Sequence, residues 1–310
     1  MEPLQPLPIG QLLVPLDGSR LAEAPLPAAT ALAERLGARV TLLHVLERNA
    51  PATIHGERHL TDVAAAEAYL RGIASRFADL GIPVEIHAHP SPEGDVAASI
   101  AAHAAEVTDT ATLIVLCTHG QGGPREWLSG SLAQRAVRRA GAPILLVRPG
   151  PGGINHAFTP RAVIVALDGT PVGEAALPAA LTLARAFGAV LRLVVVVATL
   201  GTISGDRAAA ALLTPTATAA ALDLEEATAT AYLAGLQARL QEAQVAVRTQ
   251  VARGDAVRQV TESATRDGAG DVLALATHGK AGLDALWSGS IGAKVVTRSA
   301  NSLLLVRPAR

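Results

Sequence analysis

Residues 11–19 read QLLVPLDGS, and residues 162–170 read AVIVALDGT. Each is a short apolar run closed by Asp-Gly, and a run of that length bounded by a turn signal reads as a buried strand. The two stretches are copies, with Asp17 matching Asp168 at an offset of 151. Further copies follow in the same order. Residues 117–120 read CTHG and 276–279 read ATHG; residues 143–149 read PILLVRP and 302–308 read SLLLVRP, both at an offset of 159. The extra residues in the second copy fall around Leu200–Leu222, where Gly201–Leu222, rich in Ala and Thr with Pro215, reads as a loop running into a helix or as a lid or partner site, and its counterpart Asn49–Leu60 reads as a loop. An unchanged motif order with one rise in offset is the mark of an internal duplication. The duplication predicts tandem domains over 1–150 and 151–310, joined at Gly150-Pro151-Gly152-Gly153.

Within the first copy the pattern alternates between strand and helix. Strands are predicted over Leu12–Leu16, Arg39–Leu46, Val84–Ala88, Thr112–Cys117 and Ile144–Val147. Helices are predicted over Leu21–Leu36, Thr61–Leu80, Asp95–Ala105 and Leu132–Arg139. The second copy repeats the strands at Val163–Leu167, Arg192–Val197, Ala246–Val251, Val272–Ala276 and Leu303–Val306. Alternation of this kind specifies an α/β fold with a doubly wound parallel sheet of five strands in each domain. Sheets of this type take ligands beyond the carboxyl ends of their strands.

Composition narrows the function classes. The chain has 310 residues, 50% of them apolar, with mean hydropathy +0.33 and a formal charge of −1. Such a chain buries a core and is not disordered. No basic excess is present to neutralise phosphates, so nucleic acid is not an expected partner. The single Cys117 allows no internal disulfide and no thiolate zinc site. The apolar run Ala189–Leu200 is interrupted by Arg192, so no membrane span is expected. The N-terminus MEPLQPLPIGQ lacks a basic n-region and does not read as a signal peptide. The expected location is the cytoplasm.

The strand ends carry the candidate chemistry. The first strand of each copy ends at Asp17-Gly18 and Asp168-Gly169. Such an Asp can accept from a ribose hydroxyl or an adenine amine, or it can cap the following turn. Its double occurrence at a strand end favours a ligand. After the fourth strand come His119-Gly120 and His278-Gly279, then nine residues, then Gly130-Ser131 and Gly289-Ser290. Glycine and serine opening a helix present free N–H groups to an anion. His119 and His278 have no partner acid, base or nucleophile at a repeated spacing, so no catalytic residue is assigned. His87 and His89 share a strand, but copy two has Arg248 and Gln250 there, so no metal site is expected. Trp127 and Trp287 stand at different distances from their glycines, which argues against a shared stacking role.

At these residues the chain resembles the universal stress protein family. Nucleotide-binding members carry Gly-two residues-Gly, nine residues, then Gly-Ser/Thr. The first glycine of that motif is Cys117 in one copy and Ala276 in the other. The LDGS start, Leu42–Val45 and the closing LLVRP also resemble the family. The resemblance implies two tandem Rossmann-like domains, each with an adenine-nucleotide site. It implies ATP, with AMP or ADP as alternatives and Mg²⁺ as an optional companion. Asp17 and Asp168 would contact adenine or ribose, with Pro15 at the end of the first strand beside them. Val45 and Val196 would line the base. Cys117 and Ala276 would lie near the ribose or adenine. His119, Gly120, Gly130, Ser131, His278, Gly279, Gly289 and Ser290 would surround the phosphates.

The implied role is stress response or regulation rather than catalysis. The rival readings are a nucleotide-free interaction scaffold and a slow ATPase using the same site. The terminal strands Ile144–Val147 and Leu303–Val306 are candidates to pair with one another, giving an internal pseudo-dimer, and a homodimer of whole chains is also expected.

Overall fold

The computed structural model describes residues 3–47, 53–54, 57–90, 95–117, 135–136, 139–149, 157–203, 206–266, 270–277 and 291–308. It is an α/β structure divided into two compact units. One is built from Leu7–Thr159 together with Ser302–Ala309. The other is built from Pro160–Asn301 together with the first residues of the chain.

The first unit contains strands β1 (Ile9–Pro15), β2 (Arg39–Leu46), β5 (Val84–Pro90), β6 (Ala111–Cys117), β7 (Ile144–Val147) and β12 (Ser302–Val306). Their order is β12-β7-β6-β1-β2-β5. All neighbours are parallel except β12, which runs antiparallel to β7 with Leu303 opposite Leu146 and Leu305 opposite Ile144. The two apolar terminal strands therefore do pair. A short antiparallel hairpin, β3 (Thr53–Ile54) and β4 (Glu57–Arg58), falls inside the segment Asn49–Leu60 that reads as a loop.

The other unit contains β8 (Ala162–Leu167), β9 (Val190–Val197), β10 (Val247–Arg253) and β11 (Val272–Ala276), in the parallel order β10-β9-β8-β11. In the same unit Leu4 N–H donates to the Arg239 carbonyl at 3.1 Å.

The burial patterns explain the fold. Leu12, Leu13 and Val14 of β1 are fully buried, as are Val163, Ile164 and Val165 of β8. Continuous apolar runs of this kind belong to strands covered on both faces. Helices Leu26–Leu36 and Leu177–Phe187 supply much of that cover through alanines 28, 29, 179 and 180, at 1% exposure or less. Both helices end at a left-handed glycine, Gly37 and Gly188, whose N–H groups close the last turn.

Two segments differ from the sequence reading. Helix Leu26–Leu36 starts five residues later than expected, because Arg20–Pro25 forms turns with Glu23 N–H on Arg20 O and Ala24 N–H on Leu21 O. Pro25 and Pro27 lack the N–H groups that would carry a regular helix back through this stretch. The segment Gly201–Leu222, expected as a loop running into a helix, contains helix Asp206–Leu213 and the start of helix Pro215–Arg239. Pro215 takes the first helical position, where its missing N–H costs nothing. The threonine hydroxyls donate to carbonyls one turn back, Thr218 to Thr214, Thr228 to Leu224 and Thr230 to Glu226. Among the described residues no helix is long and apolar enough to cross a membrane.

Candidate nucleotide site

The carboxyl ends of β1, β2 and β6 bring the first copy's candidates together. Pro15 stands opposite Leu43, and Leu16 N–H continues the ladder to Leu43 O at 2.8 Å. Two residues further on, Asp17 is level with Val45. On the other side Leu13 stands opposite Ile114, which carries Cys117 level with Leu16. Asp17, Val45 and Cys117 thus share one edge of the sheet, with Val45 buried and Pro15, Asp17 and Cys117 half-buried.

Local chemistry fixes Asp17. Its Oδ1 accepts the Ser19 N–H at 2.8 Å, and Ser19 Oγ accepts the Ala22 N–H at 3.2 Å. The intervening Gly18 has φ +90°, a conformation open to glycine and costly for other residues. The turn reading of Asp17 is therefore realised, and it commits one carboxylate oxygen. Burial, and after it the Asp17 carboxylate, pushes the Cys117 thiol up to about 12. A thiol so held stays protonated, which suits a small buried hydrophobe better than a redox sensor.

The second copy repeats the arrangement. Leu167 stands opposite Val195, so Asp168 is level with Val196. Val165 stands opposite Ala274, which carries Ala276 level with Leu167. Asp168 Oδ1 accepts the Thr170 N–H at 3.0 Å and its hydroxyl at 2.7 Å, and Thr170 Oγ1 accepts the Gly173 N–H at 3.2 Å. Gly169 has φ +80°.

The copies differ in cover. In the first, the segment around the β3–β4 hairpin lies on the turn. Arg20 N–H donates to Glu57 Oε2 at 3.1 Å, and a Cβ on Gly18 would meet Leu60 Cδ1 at 2.8 Å. His44 ties that segment down, with Nδ1 2.8 Å from Leu16 O and Nε2 3.3 Å from Leu60 O. At Gly169 an added Cβ meets nothing within 4 Å, and Asp168 is exposed.

A second duplicated group braces the same turns, and the motif reading missed it. Tyr69 Oη donates to Glu23 Oε1 at 3.3 Å, and Arg76 Nη1 lies 3.3 Å from Glu23 Oε2. In the other copy Arg239 Nη1 lies 2.7 Å from Glu174 Oε2, with Tyr232 beside that carboxylate. Burial, then the neighbouring glutamate and the aspartate of the turn, drive both phenols above the usual tyrosine range, while the arginines oppose this weakly. Glu23 and Glu174 each lie six residues past the turn aspartate. Tyr69 and Arg76 are seven apart, as are Tyr232 and Arg239. The signal was present as AYLRGIASR at 68–76 and AYLAGLQAR at 231–239, shifted to an offset of 163 by the inserted segment.

The phosphate-side candidates His119, Gly120, Gly130, Ser131, His278, Gly279, Gly289 and Ser290 lie outside the described residues, as do Trp127 and Trp287. His103 joins His87 and His89, stacked on His89 at 4.9 Å between ring centroids and edge-on to His87 at 5.3 Å. Among the described residues no group of three or more His, Cys, Asp or Glu side chains is placed to hold a metal.

What the described edge can do is bind. A carboxylate suits ribose hydroxyls or an adenine amine, and a valine beside it suits the face of a base. The residues present therefore fit an adenine nucleotide.

A family model described as the universal stress protein family matches residues 8–148 and again 160–307. A universal stress protein from Archaeoglobus fulgidus DSM 4304 has a similar structure, at 15% identity and a TM-score of 0.65, over 98% of each chain. A functionally unknown protein from Pseudomonas aeruginosa PAO1 matches at 16% identity and a TM-score of 0.64, over 97% of this chain and 93% of that one. At such identities these likenesses speak to fold. A universal stress protein solved in complex with cAMP is 20% identical over 47% of this chain and 95% of its own, with a TM-score of 0.33. No curated protein matches the chain.

Proposed function

The chain belongs to the universal stress protein family along both halves, and on that premise we propose that it is an ATP-binding stress-response protein with one adenine-nucleotide site per half. The observation that carries this reading is the repeated sheet edge. Asp17 stands level with Val45 and beside Cys117, and Asp168 stands level with Val196 and beside Ala276. Each aspartate is held by an Asx turn, and the glutamate six residues on is paired with an arginine.

In this reading Asp17 and Asp168 accept from the ribose or the adenine amine, and Val45 and Val196 line the base. Gly120, Gly130 and Ser131, with Gly279, Gly289 and Ser290, receive the phosphates through backbone N–H groups. Mg²⁺ enters only with the nucleotide. The protein is read as a binder rather than an enzyme, with weak ATP hydrolysis as the rival, because no acid, base or nucleophile recurs in the sequence at a repeated spacing from His119 and His278. It works in the cytoplasm, with the two halves forming an internal pseudo-dimer and whole chains associating as a homodimer.

The test is to denature freshly purified protein, without added nucleotide, and identify what is released by chromatography and mass. Two ATP per chain supports both sites. One ATP, lost on Asp168→Ala and retained on Asp17→Ala, restricts the reading to the second half. AMP or ADP in place of ATP would count against ATP as the bound form. Nothing released, with no binding on ATP titration, overturns the reading in favour of a scaffold.

A further inference from the structure

The two copies also differ at the opposite end of the sheet. In the second copy, helix Ala256–Thr265 ends against Asn301, which is 2% exposed. Asn301 Nδ2 donates to the Ala264 carbonyl at 3.0 Å and to the Asp271 carbonyl at 3.2 Å. Carbonyls in the last turn of a helix have no partner within it, and that end carries partial negative charge. A hydrogen-bond donor is what such a place requires, and a carboxamide supplies it.

The offset of 159 sets Asn301 against Ala142 and Asp271 against Thr112, and the capping aspartates Asp255 and Asp95, which open the two equivalent helices, set Ala264 against Ala104. Asn and Asp in the second copy are thus Ala and Thr in the first. Where the second copy is filled, the first has a cleft of about 290 Å³, lined by Ala101, Ala104, Ala105, Thr112, Ala142 and Pro143 among others. Thr112 is 4% exposed, and its Oγ1 makes no hydrogen bond among the described residues. Helix Val96–Ala105 ends on this cleft.

We propose that the cleft is a second binding site, for a small molecule that carries a primary carboxamide on an apolar body. The amide N–H₂ takes the place of the Asn301 side chain and faces the helix-end carbonyls. The Thr112 hydroxyl donates to the amide oxygen. The apolar body lies on the alanines and Pro143. The cleft lies where β6 and β7 begin, the opposite end of the strands from Asp17, so it stands whether or not the protein binds ATP.

The probe is benzamide, titrated onto the whole protein and followed by saturation-transfer NMR, with benzoate as the matched control. The expected result is a Kd on the order of 1–10 mM for benzamide, with benzoate at least about tenfold weaker because its carboxylate faces a negative helix end. Ala142→Asn rebuilds the second copy's plug and is expected to abolish binding while the melting temperature holds or rises. Thr112→Val, nearly the same in shape, is expected to weaken binding several-fold. Benzamide that fails to saturate at about 50 mM, roughly five times the upper expected value, overturns the proposal. So does benzoate binding equally well, or unchanged binding in both variants.

Discussion

Arg239 grips Glu174 at 2.7 Å, with both side chains about three-quarters buried, whereas the equivalent Arg76 meets Glu23 at 3.3 Å with its own side chain 65% exposed. The same bridge was thus built twice and is tighter in the second copy. Removing one partner of a well-buried pair leaves the other uncompensated, whereas exposed pairs contribute little. Arg239→Ala is expected to destabilise the protein by about 1–2 kcal/mol, and Arg76→Ala by well under that. Urea midpoints for the two variants check the contrast, and equal shifts would show that the second bridge is not the stronger one.

Gly18 and Gly169 hold the same left-handed turn in different surroundings. Alanine at either position meets the backbone cost, about 1 kcal/mol. At Gly18 the new methyl also presses on Leu60. Gly18→Ala is therefore expected to lower the melting temperature more than Gly169→Ala, and a reversed order would place the hairpin's contact with the turn in doubt.

The buried Cys117 thiol makes stability depend on alkaline pH. Its folded value, about 12, lies above its ordinary value near 9. Between those values the unfolded chain releases a proton that the folded chain keeps, so stability falls as pH rises from about 9 toward 12. Below that window the group contributes no slope. Cys117→Ala is expected to flatten the fall, as seen in thermal melts across the alkaline range. At pH 8 the native thiol is expected to react with a disulfide reagent orders of magnitude more slowly than the unfolded one.

Asp271, 3% exposed, accepts the N–H groups of Arg161 and Ala162 at 3.1 and 2.9 Å, at the start of β8. Asp271→Ala would leave both donors without that acceptor. A loss of about 2–3 kcal/mol is expected, measurable by chemical denaturation. A neutral effect would mean that water replaces the carboxylate.

Much of this was legible in the residues. Arg39–Leu46, Ile144–Val147 and Val272–Ala276 have the ends their apolar runs foretell. A buried parallel strand stops where its hydrophobic run stops. The Asp-Gly pair marks a turn in any context, and its duplication drew attention to the candidate edge of the sheet. Less visible was whatever depends on distance in space. Glu23 and Tyr69 are 46 residues apart, and the insertion near Leu200 shifts the second copy of the tyrosine helix out of step with its glutamate. Helix Pro215–Arg239 was hidden by its threonines, which look unhelical until their hydroxyls are seen on the preceding turn.

Strand Ser302–Val306 pairs with Ile144–Val147, so one polypeptide supplies both partners of that ladder. Two partners on one chain meet at a local concentration set by the tether and not by how much protein is present. Dilution cannot part them, and abundance cannot drive them together. A ladder that in separate chains would act as a gauge of expression level is, in this protein, a fixed part of the folded chain.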